Sequence, residues 1–310
     1  MADSTFDNAP WPWAEPRLSV LIPFLRDDPA VLLKALDAEG EHLLGKVELV
    51  ILDDGTGDAA LTERLQTQIA AMNLPVRLVT FTTNQGRSKG RNILAGNARG
   101  KHLLFLDSDM LPDDRDFLSV YVGLIDREDP AVAFGGFSLF QAPERAEHAL
   151  HRAMALKSDC LPATERRLAP EKYVFTSNLL VRRDVFEAEA FDEAFVGWGW
   201  EDVEWAMRVA RRWPIVHVDN TATHLGLDRA SAMAAKYEQS AANFARVVAS
   251  HHAVVSTYPS YRVARTLRRV PLRPVWRPTL KWAALSEPLP IGVRALAMRL
   301  YRAALYAEAV

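Results

Sequence analysis

Short apolar segments alternate with amphipathic segments along the first hundred residues of the chain. The apolar segments are rich in Val, Leu and Ile, and they are Leu18–Ile22, Val47–Leu52, Val76–Phe81 and Lys101–Leu106. Between them, apolar residues recur at helical spacing from Pro29 to Leu44, from Asp58 to Met72 and from Arg87 to Gly100. Continuous apolar strands joined by helices are typical of a parallel sheet covered on both faces. The pattern predicts an α/β fold.

The alternation becomes less regular after residue 110. Further strands are predicted at Ala131–Phe134, Tyr173–Val181 and Ile215–Val218, and further helices at Glu201–Arg212 and Ala230–His251. Residues 141–170 show no clear period, and residues 1–16 are predicted to form an irregular leader.

Composition and cysteine usage narrow the class of protein. Of the 310 residues, 49% are hydrophobic and 25% are charged, as in an ordinary globular protein. The one cysteine, Cys160, excludes an internal disulfide and a cysteine-based zinc site, which suits a reducing compartment. Residues 1–16 do not resemble a signal peptide, and no stretch reaches the roughly 18 apolar residues of a membrane span. We therefore expect a cytoplasmic protein.

Charge is distributed unevenly along the chain. Residues 261–310 contain ten Lys or Arg against two Glu, so this tail carries +8 while residues 1–260 carry −10. A basic amphipathic tail over residues 256–310 fits peripheral contact with anionic lipid at the inner face of the plasma membrane. It fits a solvated helical cap equally well. Nucleic-acid binding is not expected, because no known binding module accompanies the charge.

Polar side chains gather at the carboxyl ends of the predicted strands, where parallel sheets bind ligands. These ends are Pro23–Asp28, Asp53–Asp54, Asn84–Arg91 and Asp107–Asp109. Asp107 and Asp109 follow a buried strand, where two carboxylates are costly unless a cation binds them. A divalent cation that carries a diphosphate is the expected occupant. An Asx turn or a helix cap is the simpler alternative.

Three further features support a nucleotide site. Asp53 or Asp54 can accept from a base or a ribose hydroxyl, although an Asp-Gly turn explains them as well. Arg91 lies in a helix that begins after Gly86, where phosphate is favoured. His224 is a candidate third metal ligand. His217 is expected to be buried in its strand.

The segment Phe195–Glu204 predicts a sugar-binding loop followed by a helix. Trp198 and Trp200 offer flat apolar faces for sugar rings, and Glu201 and Asp202 begin the helix, where its dipole keeps carboxylates ionised. An ionised carboxylate beside a polyol is a candidate general base.

The alternative is a pair of capping acids beside core tryptophans. That interpretation is favoured for Trp205, which is expected in the core, but not for Trp198. Glu204 is expected to face solvent.

Together these motifs resemble the inverting glycosyltransferases of family 2, which have the GT-A fold. The resemblance covers about residues 17–228, and it rests on Leu18–Pro23, Leu52–Gly55, Asn84–Asn92, the DXD-type Asp107–Asp109, Asn178–Arg183 and Gly197–Asp202. The last motif is similar to the Gly-Trp-Gly-Gly-Glu-Asp acceptor motif of galactosyl- and N-acetylgalactosaminyl-transferases. Trp200 departs from it by replacing a glycine, and Leu227-Asp228 replaces a customary second histidine.

The resemblance implies a fold, a reaction and a set of residue roles. The fold is a mixed, mostly parallel sheet flanked by helices with a C-terminal helical extension. The reaction is metal-dependent transfer of a hexose or N-acetylhexosamine from a UDP-sugar to a glycan or lipid-linked acceptor, in polysaccharide or glycoconjugate biosynthesis. The implied donor-binding residues are Pro23, Phe24, Arg26, Asp53, Asp54, Arg91, Asp107 and Ser108. The implied ligands of Mn²⁺ or Mg²⁺ are Asp107, Asp109 and His224. The implied acceptor-binding residues are Trp198, Trp200, Glu201 and Asn178, with Asp202 as the general base.

The alternatives to this function are a nucleotidyltransferase and a non-catalytic module. A nucleotidyltransferase would need a glycine-rich first loop, which Ile22–Arg26 lacks. A non-catalytic module that binds saccharide or a partner would be expected to lose Asp109 or Asp202.

The predicted catalytic domain spans 17–255, with a nucleotide-binding half (17–110) and an acceptor half (111–255), before the tail.

Overall fold

The computed structural model describes residues 3–310, which form strands and helices joined by loops. The strands are β1 (Ser4–Asp7), β2 (Leu18–Phe24), β3 (Val47–Asp54), β4 (Val76–Phe81), β5 (His102–Leu106), β6 (Met110–Pro112), β7 (Val132–Phe134), β8 (Phe137–Ser138), β9 (Asn178–Arg182), β10 (Ile215–His217) and β11 (Ala222–His224). The α-helices are α1 (Ala30–Asp37), α2 (Ala59–Ala70), α3 (Arg87–Asn97), α4 (Phe117–Glu128), α5 (Ala149–Ser158), α6 (Ala163–Arg166), α7 (Arg183–Ala188), α8 (Glu201–Val209), α9 (Ala230–Val255), α10 (Pro259–Arg268), α11 (Arg273–Leu285) and α12 (Ile291–Tyr306).

The chain forms two compact units. The first unit contains the chain up to Ala142 together with Cys160–Glu193 and Trp205–Gly226. The second contains Pro143–Asp159, Ala194–Glu204 and Leu227–Val310. The division at residues 110 and 255 stays a prediction.

The first unit is built on an eight-stranded sheet with the order β1-β4-β3-β2-β5-β9-β7-β10. Strands β4, β3, β2 and β5 are parallel, as predicted from their continuous apolar runs. Strand β9 is antiparallel to both of its neighbours. A second sheet has the order β6-β11-β8.

Both faces of the large sheet are buried, which explains why its strands are apolar throughout. Leu49 and Ile51 of β3 belong to one core cluster, shared with residues of α1 and α2. Val50 and Leu52 belong to a second cluster, which includes Leu94 of α3. Successive side chains on a strand point to opposite faces, so a doubly covered strand must be apolar at every position.

The structure differs from the prediction at the N-terminus and before β9. The leader predicted to be irregular contains β1, which pairs antiparallel with β4. The strand predicted from Tyr173 begins only at Asn178, because Tyr173 ends the 3₁₀-helix Pro170–Tyr173 and Thr176 and Ser177 form a turn. Proline lacks the backbone N–H that a strand needs, and it is well tolerated in the first turn of a helix.

The second unit is helical. Helix α12 packs against α5, α9, α10 and α11. Helix α9 continues past the predicted end to Val255 and contains one residue, His251, with non-helical backbone angles. Within residues 3–310, no helix is both long enough and apolar enough to cross a membrane.

Candidate functional site

The carboxylates of Asp53 and Asp54 lie at the end of β3 and hold the loops that follow neighbouring strands. Asp53 accepts a hydrogen bond from the Thr56 backbone N–H at 2.9 Å, and the Thr56 hydroxyl accepts from the Arg26 N–H at 2.9 Å. These bonds connect the end of β2 to the end of β3. The short Asp-Asp-Gly-Thr sequence favours such a turn, which is the signal that would have pointed to Thr56.

Asp54 fixes the start of α3. Its carboxylate accepts from the backbone N–H groups of Gln85 at 2.7 Å and Gly86 at 3.2 Å. Burial raises the pKa of Asp54 above its ordinary value, against the lowering effect of these two bonds. Gly55 has a φ of +91°, and a side chain there would meet the Asn84 nitrogen at 2.7 Å. Only glycine suits this close approach.

Arg91, within α3, and Asp107, just after β5, form an ion pair. Arg91 is almost fully buried, and its guanidinium donates to Asp107 at 2.8 Å. Arg91 therefore faces the first carboxylate of Asp107–Asp109, whereas the sequence predicted a phosphate for Arg91 and a metal ion for Asp107.

Asp109 and His224 lie together because β11 pairs with β6. His224 is the antiparallel partner of Met110, and the Leu225 N–H donates to the Asp109 carbonyl at 2.9 Å. The His224 Nε2 is 3.2 Å from the Asp109 carboxylate. Burial acts to raise the pKa of Asp109, but the hydrogen bond and charge of His224, a backbone hydrogen bond and the charge of Arg87 together hold that pKa below its ordinary value.

The predicted metal ligands are brought together only in part. Asp109 and His224 are adjacent, whereas Asp107 faces Arg91. Across residues 3–310, no three His, Cys, Asp or Glu side chains form a group that could hold a metal ion. Carboxylate oxygens and an imidazole nitrogen are nonetheless donor types that Mn²⁺ accepts, so the chemistry of the Asp109–His224 pair fits such an ion.

The remaining predicted donor residues line the ends of β2 and β5. Phe24 is buried, Pro23 and Ser108 are half-buried, and Arg26 is exposed. Arg26 has a φ of +65°, a conformation that non-glycine residues adopt rarely. The turn bonded to Thr56 holds it there.

Asn178 is fully buried at the start of β9. Its side-chain oxygen accepts from the Tyr121 hydroxyl at 2.7 Å. Its amide donates to the carbonyl oxygens of Gly136 at 3.0 Å and Asn220 at 2.9 Å. These bonds hold loops of the first unit, and contact with an acceptor stays a prediction.

The segment predicted to bind the acceptor belongs to the second unit. The Trp198 ring lies 5.9 Å from that of Tyr237, and Trp198 is half-buried. Asp202 is half-buried and accepts from the Val203 N–H at 2.8 Å, whereas Glu201 is buried. Asn243, mid-helix in α9, donates to the carbonyl oxygens of Val196 and Gly199. Nothing in the local sequence pattern signals this contact.

Glu204 does not face solvent, so that prediction was wrong. It is 5% exposed, and its carboxylate lies 3.0 Å from the Nε2 of His251. The partner is 47 residues away in the chain, beyond the reach of a local pattern. Trp205 is fully buried, as predicted, and His217 is likewise buried in its strand.

A mostly parallel sheet with polar and charged groups at its carboxyl edge defines the class of α/β proteins that bind ligands at that edge. Within this class, the chain belongs to glycosyl transferase family 2, whose family model matches residues 19–189.

Two curated proteins are similar in sequence. The uncharacterized glycosyltransferase YfnE of Bacillus subtilis is 23% identical over 239 residues, which cover 62% of this chain and 60% of that protein. The uncharacterized protein y4gI of Sinorhizobium fredii is 31% identical over 116 residues, which cover 37% of this chain and 12% of that protein. The matched part thus spans 60% or less of these relatives.

Solved glycosyltransferase structures share the fold. The mannosyltransferase PcManGT from Pyrobaculum calidifontis, in complex with GDP-Man and Mn²⁺, matches with a TM-score of 0.57 and 17% identity over 100% of this chain and 90% of that chain. S. aureus TarS in complex with UDP-GlcNAc matches with a TM-score of 0.53 and 17% identity over 92% and 89%. At this identity the likeness establishes the GT-A fold, including the helices that follow the sheet.

Proposed function

We propose that this chain is a metal-dependent inverting glycosyltransferase that moves a hexose or N-acetylhexosamine from a UDP-sugar to a glycan or lipid-linked acceptor. The observation that supports this most is the position of four aspartates at one edge of the parallel sheet: Asp53 and Asp54 end β3, and Asp107 and Asp109 follow β5. Family membership makes a nucleotide sugar the expected ligand of that edge. A non-catalytic module that binds saccharide or a partner is the alternative.

The donor is bound by residues of the first unit. Pro23, Phe24 and Arg26 line the nucleotide beside Asp53 and Asp54, and Arg91 with Ser108 helps to hold the diphosphate. Asp109 and His224 would hold the divalent cation, and Asp107, which pairs with Arg91 in this structure, would be the third ligand. When bound, this cation supplies positive charge to the departing diphosphate. The related folds carry GDP-Man with Mn²⁺ or UDP-GlcNAc, so guanosine and uridine nucleotides both merit testing.

Residues of the second unit bind the acceptor and remove its proton. Trp198 offers its ring to a sugar, and Asp202 removes the proton of the acceptor hydroxyl, whose oxygen then attacks the anomeric carbon. A single base without a carboxylate nucleophile leads to inversion, so an α-linked donor gives a β-linked product. Such a reaction serves polysaccharide or glycoconjugate synthesis in the cytoplasm, with residues 256–310 in peripheral contact with the inner face of the plasma membrane.

Nucleotide binding tests the donor site. Calorimetry with UDP, GDP and CMP, with and without Mn²⁺, compares the wild type with Asp109→Ala. We expect metal-dependent binding of one nucleotide that weakens at least tenfold in Asp109→Ala, because that variant loses a carboxylate ligand. Asp114→Ala removes an exposed carboxylate nearby and serves as the control. Failure of every nucleotide to bind would favour the non-catalytic module.

Transfer by an Asp202→Asn variant tests the base. The amide cannot accept a proton, so we expect transfer to an acceptor to fall by about 100-fold or more, with donor binding unchanged. A product assay with a panel of saccharide acceptors gives the rate, and calorimetry gives the donor affinity. An unaltered rate of transfer would remove Asp202 from this role.

A further inference from the structure

Trp200 has a backbone conformation that its side chain disfavours. Its φ is +77°, and Gly197 and Gly199 just before it have φ values of +80° and +88°. The two glycines adopt such angles without strain, but a residue with a Cβ atom does so only when its surroundings hold it. Trp200 also stands where the similar acceptor motif has a glycine.

Aromatic residues from α9 and α12 hold the Trp200 side chain. The indole N–H donates to the Tyr306 hydroxyl at 3.0 Å, and that hydroxyl is 2.8 Å from the Ser240 hydroxyl. The indole also packs on Phe244 with ring centroids 4.9 Å apart. Phe244 in turn stacks on Tyr306 at 4.2 Å with an 18° interplanar angle. These three partners are all buried.

The same residue begins the helix that carries the predicted base. The Trp200 carbonyl accepts a hydrogen bond from the Glu204 N–H at 2.9 Å, so Trp200 is the residue from which α8 starts. Glu201 and Asp202 are the next two residues. The backbone angles at Trp200 therefore set the direction in which both carboxylates leave the loop.

We propose that Tyr306 and Trp200 are positioning residues, which fix the start of α8 and thereby orient Asp202 toward the acceptor. This inference rests on the proposed function. Trp200 serves the acceptor indirectly, since its indole N–H and one ring contact are occupied by α9 and α12, and Trp198 remains as the ring available for a sugar. The C-terminal helix α12 lies outside the family match at residues 19–189, yet it contributes to the acceptor side.

Hydrogen exchange tests the anchor, by which we mean the hydrogen bond from the Trp200 indole to the Tyr306 hydroxyl, without any assay of activity. Tyr306→Phe keeps the stacked ring and removes only the hydroxyl that accepts from Trp200. We expect amides of residues 196–204 to exchange about three- to tenfold faster in Tyr306→Phe, the range for loss of one hydrogen bond. Tyr301→Phe is the matched control, since it removes from the same helix a hydroxyl that bonds Glu238 instead.

Kinetics test the positioning role. We expect Tyr306→Phe to raise the acceptor KM or lower the transfer rate about three- to tenfold, while donor affinity measured by calorimetry stays unchanged. Trp200→Phe keeps an aromatic ring and removes the indole N–H. If Tyr306 acts through Trp200, the double variant should transfer no more slowly than Trp200→Phe alone, because the shared bond is already lost.

Three results would overturn the proposal. Faster exchange throughout the second unit, with transfer per folded molecule unchanged, would reduce Tyr306 to a stabilising residue. Additive losses in the double variant would show that Tyr306 does not act through Trp200. Unchanged exchange at residues 196–204 would remove the anchor itself. If the wild type uses no nucleotide sugar at all, the proposed function and the acceptor role fall together, and exchange still decides whether Tyr306 holds the loop.

Discussion

His217 at the end of β10 is a fully buried histidine outside the candidate site. Its Nε2 lies 3.1 Å from the Pro170 carbonyl oxygen, and its ring contacts that of Phe134 at 5.8 Å. Burial lowers the pKa of His217 from 6.5 to about 4. Since the charged form is disfavoured by the core, the imidazole is neutral in the folded protein at neutral pH.

This lowered pKa predicts a pH dependence of stability. Between pH 6.5 and about 4, the unfolded chain binds a proton at His217 that the folded chain does not, so the free energy of unfolding falls as the pH falls. The loss reaches at most about 3 kcal/mol. We measure the free energy of unfolding by urea denaturation at several pH values in this window. Plotted against pH, it should have a smaller slope for His217→Gln than for the wild type. His42→Gln, at an exposed histidine, is the control. Equal slopes in all three proteins would contradict the prediction.

At the scale of elements, a buried carboxylate connects the centre of the sheet to the end of α3. Glu48 of β3 is fully buried, and it accepts from the Ser19 hydroxyl of β2 at 2.7 Å. It also accepts from the Arg99 backbone N–H at 2.7 Å and pairs with the Arg99 guanidinium at 2.7 Å. A buried charge is tolerated when such partners satisfy it.

Removal of the Arg99 guanidinium, which pairs with Glu48, should destabilise the first unit. Arg99→Ala leaves the Glu48 carboxylate buried without a counter-charge, and we expect a loss of about 3 kcal/mol in the free energy of unfolding. Arg64→Ala breaks an exposed pair with Asp28 and should cost less than about 1 kcal/mol. Chemical denaturation of both variants makes the comparison, and similar losses in the two would contradict the account.

The elements that could be predicted from the sequence are those with a local signal. Strands β2 to β5 were predicted because each is a continuous apolar run, and the acidic residues at their ends followed from the parallel pattern. Strand β1 was missed, because Ser4–Asp7 is mostly polar and depends on pairing with β4. Glu204 was misplaced because its partner, His251, is distant in the chain. Contacts of this kind depend on tertiary packing, which a local pattern does not encode.

At the scale of the whole molecule, one region of the second unit combines exposed apolar side chains with unpaired positive charge. Leu272, Val275 and Trp282 are 72%, 67% and 68% exposed. Among residues 3–310, Arg262, Arg265 and Arg269 have no ion-pair partner, and no acidic residue lies between Glu238 and Glu287. Exposed apolar and basic side chains within one segment, residues 262–282, favour an anionic lipid surface.

This surface predicts binding to vesicles that contain phosphatidylserine. Reversal of Arg262, Arg265 and Arg269 to Glu should lower the affinity for such vesicles about 100-fold or more, at about 1 kcal/mol for each charge removed. A flotation assay measures this affinity. Reversal of Arg64, Arg115 and Arg127, which are exposed in the first unit, changes the net charge equally and is the control. Point variants are preferable to truncation, because α12 packs against α9. Equal flotation of both triple variants would favour a helical cap without lipid contact.

The second unit is assembled from three separate parts of the chain, which affects the order in which the protein folds. Trp200 and Tyr306 are 106 residues apart, so the loop before α8 cannot meet its partner until α12 has been made. At roughly 5–20 residues per second, a ribosome needs on the order of 10 s to cover that interval. During this time the Trp200 indole lacks the Tyr306 hydroxyl to which its N–H donates. The first unit's sheet has by then received all of its strands, so the second unit completes its folding last.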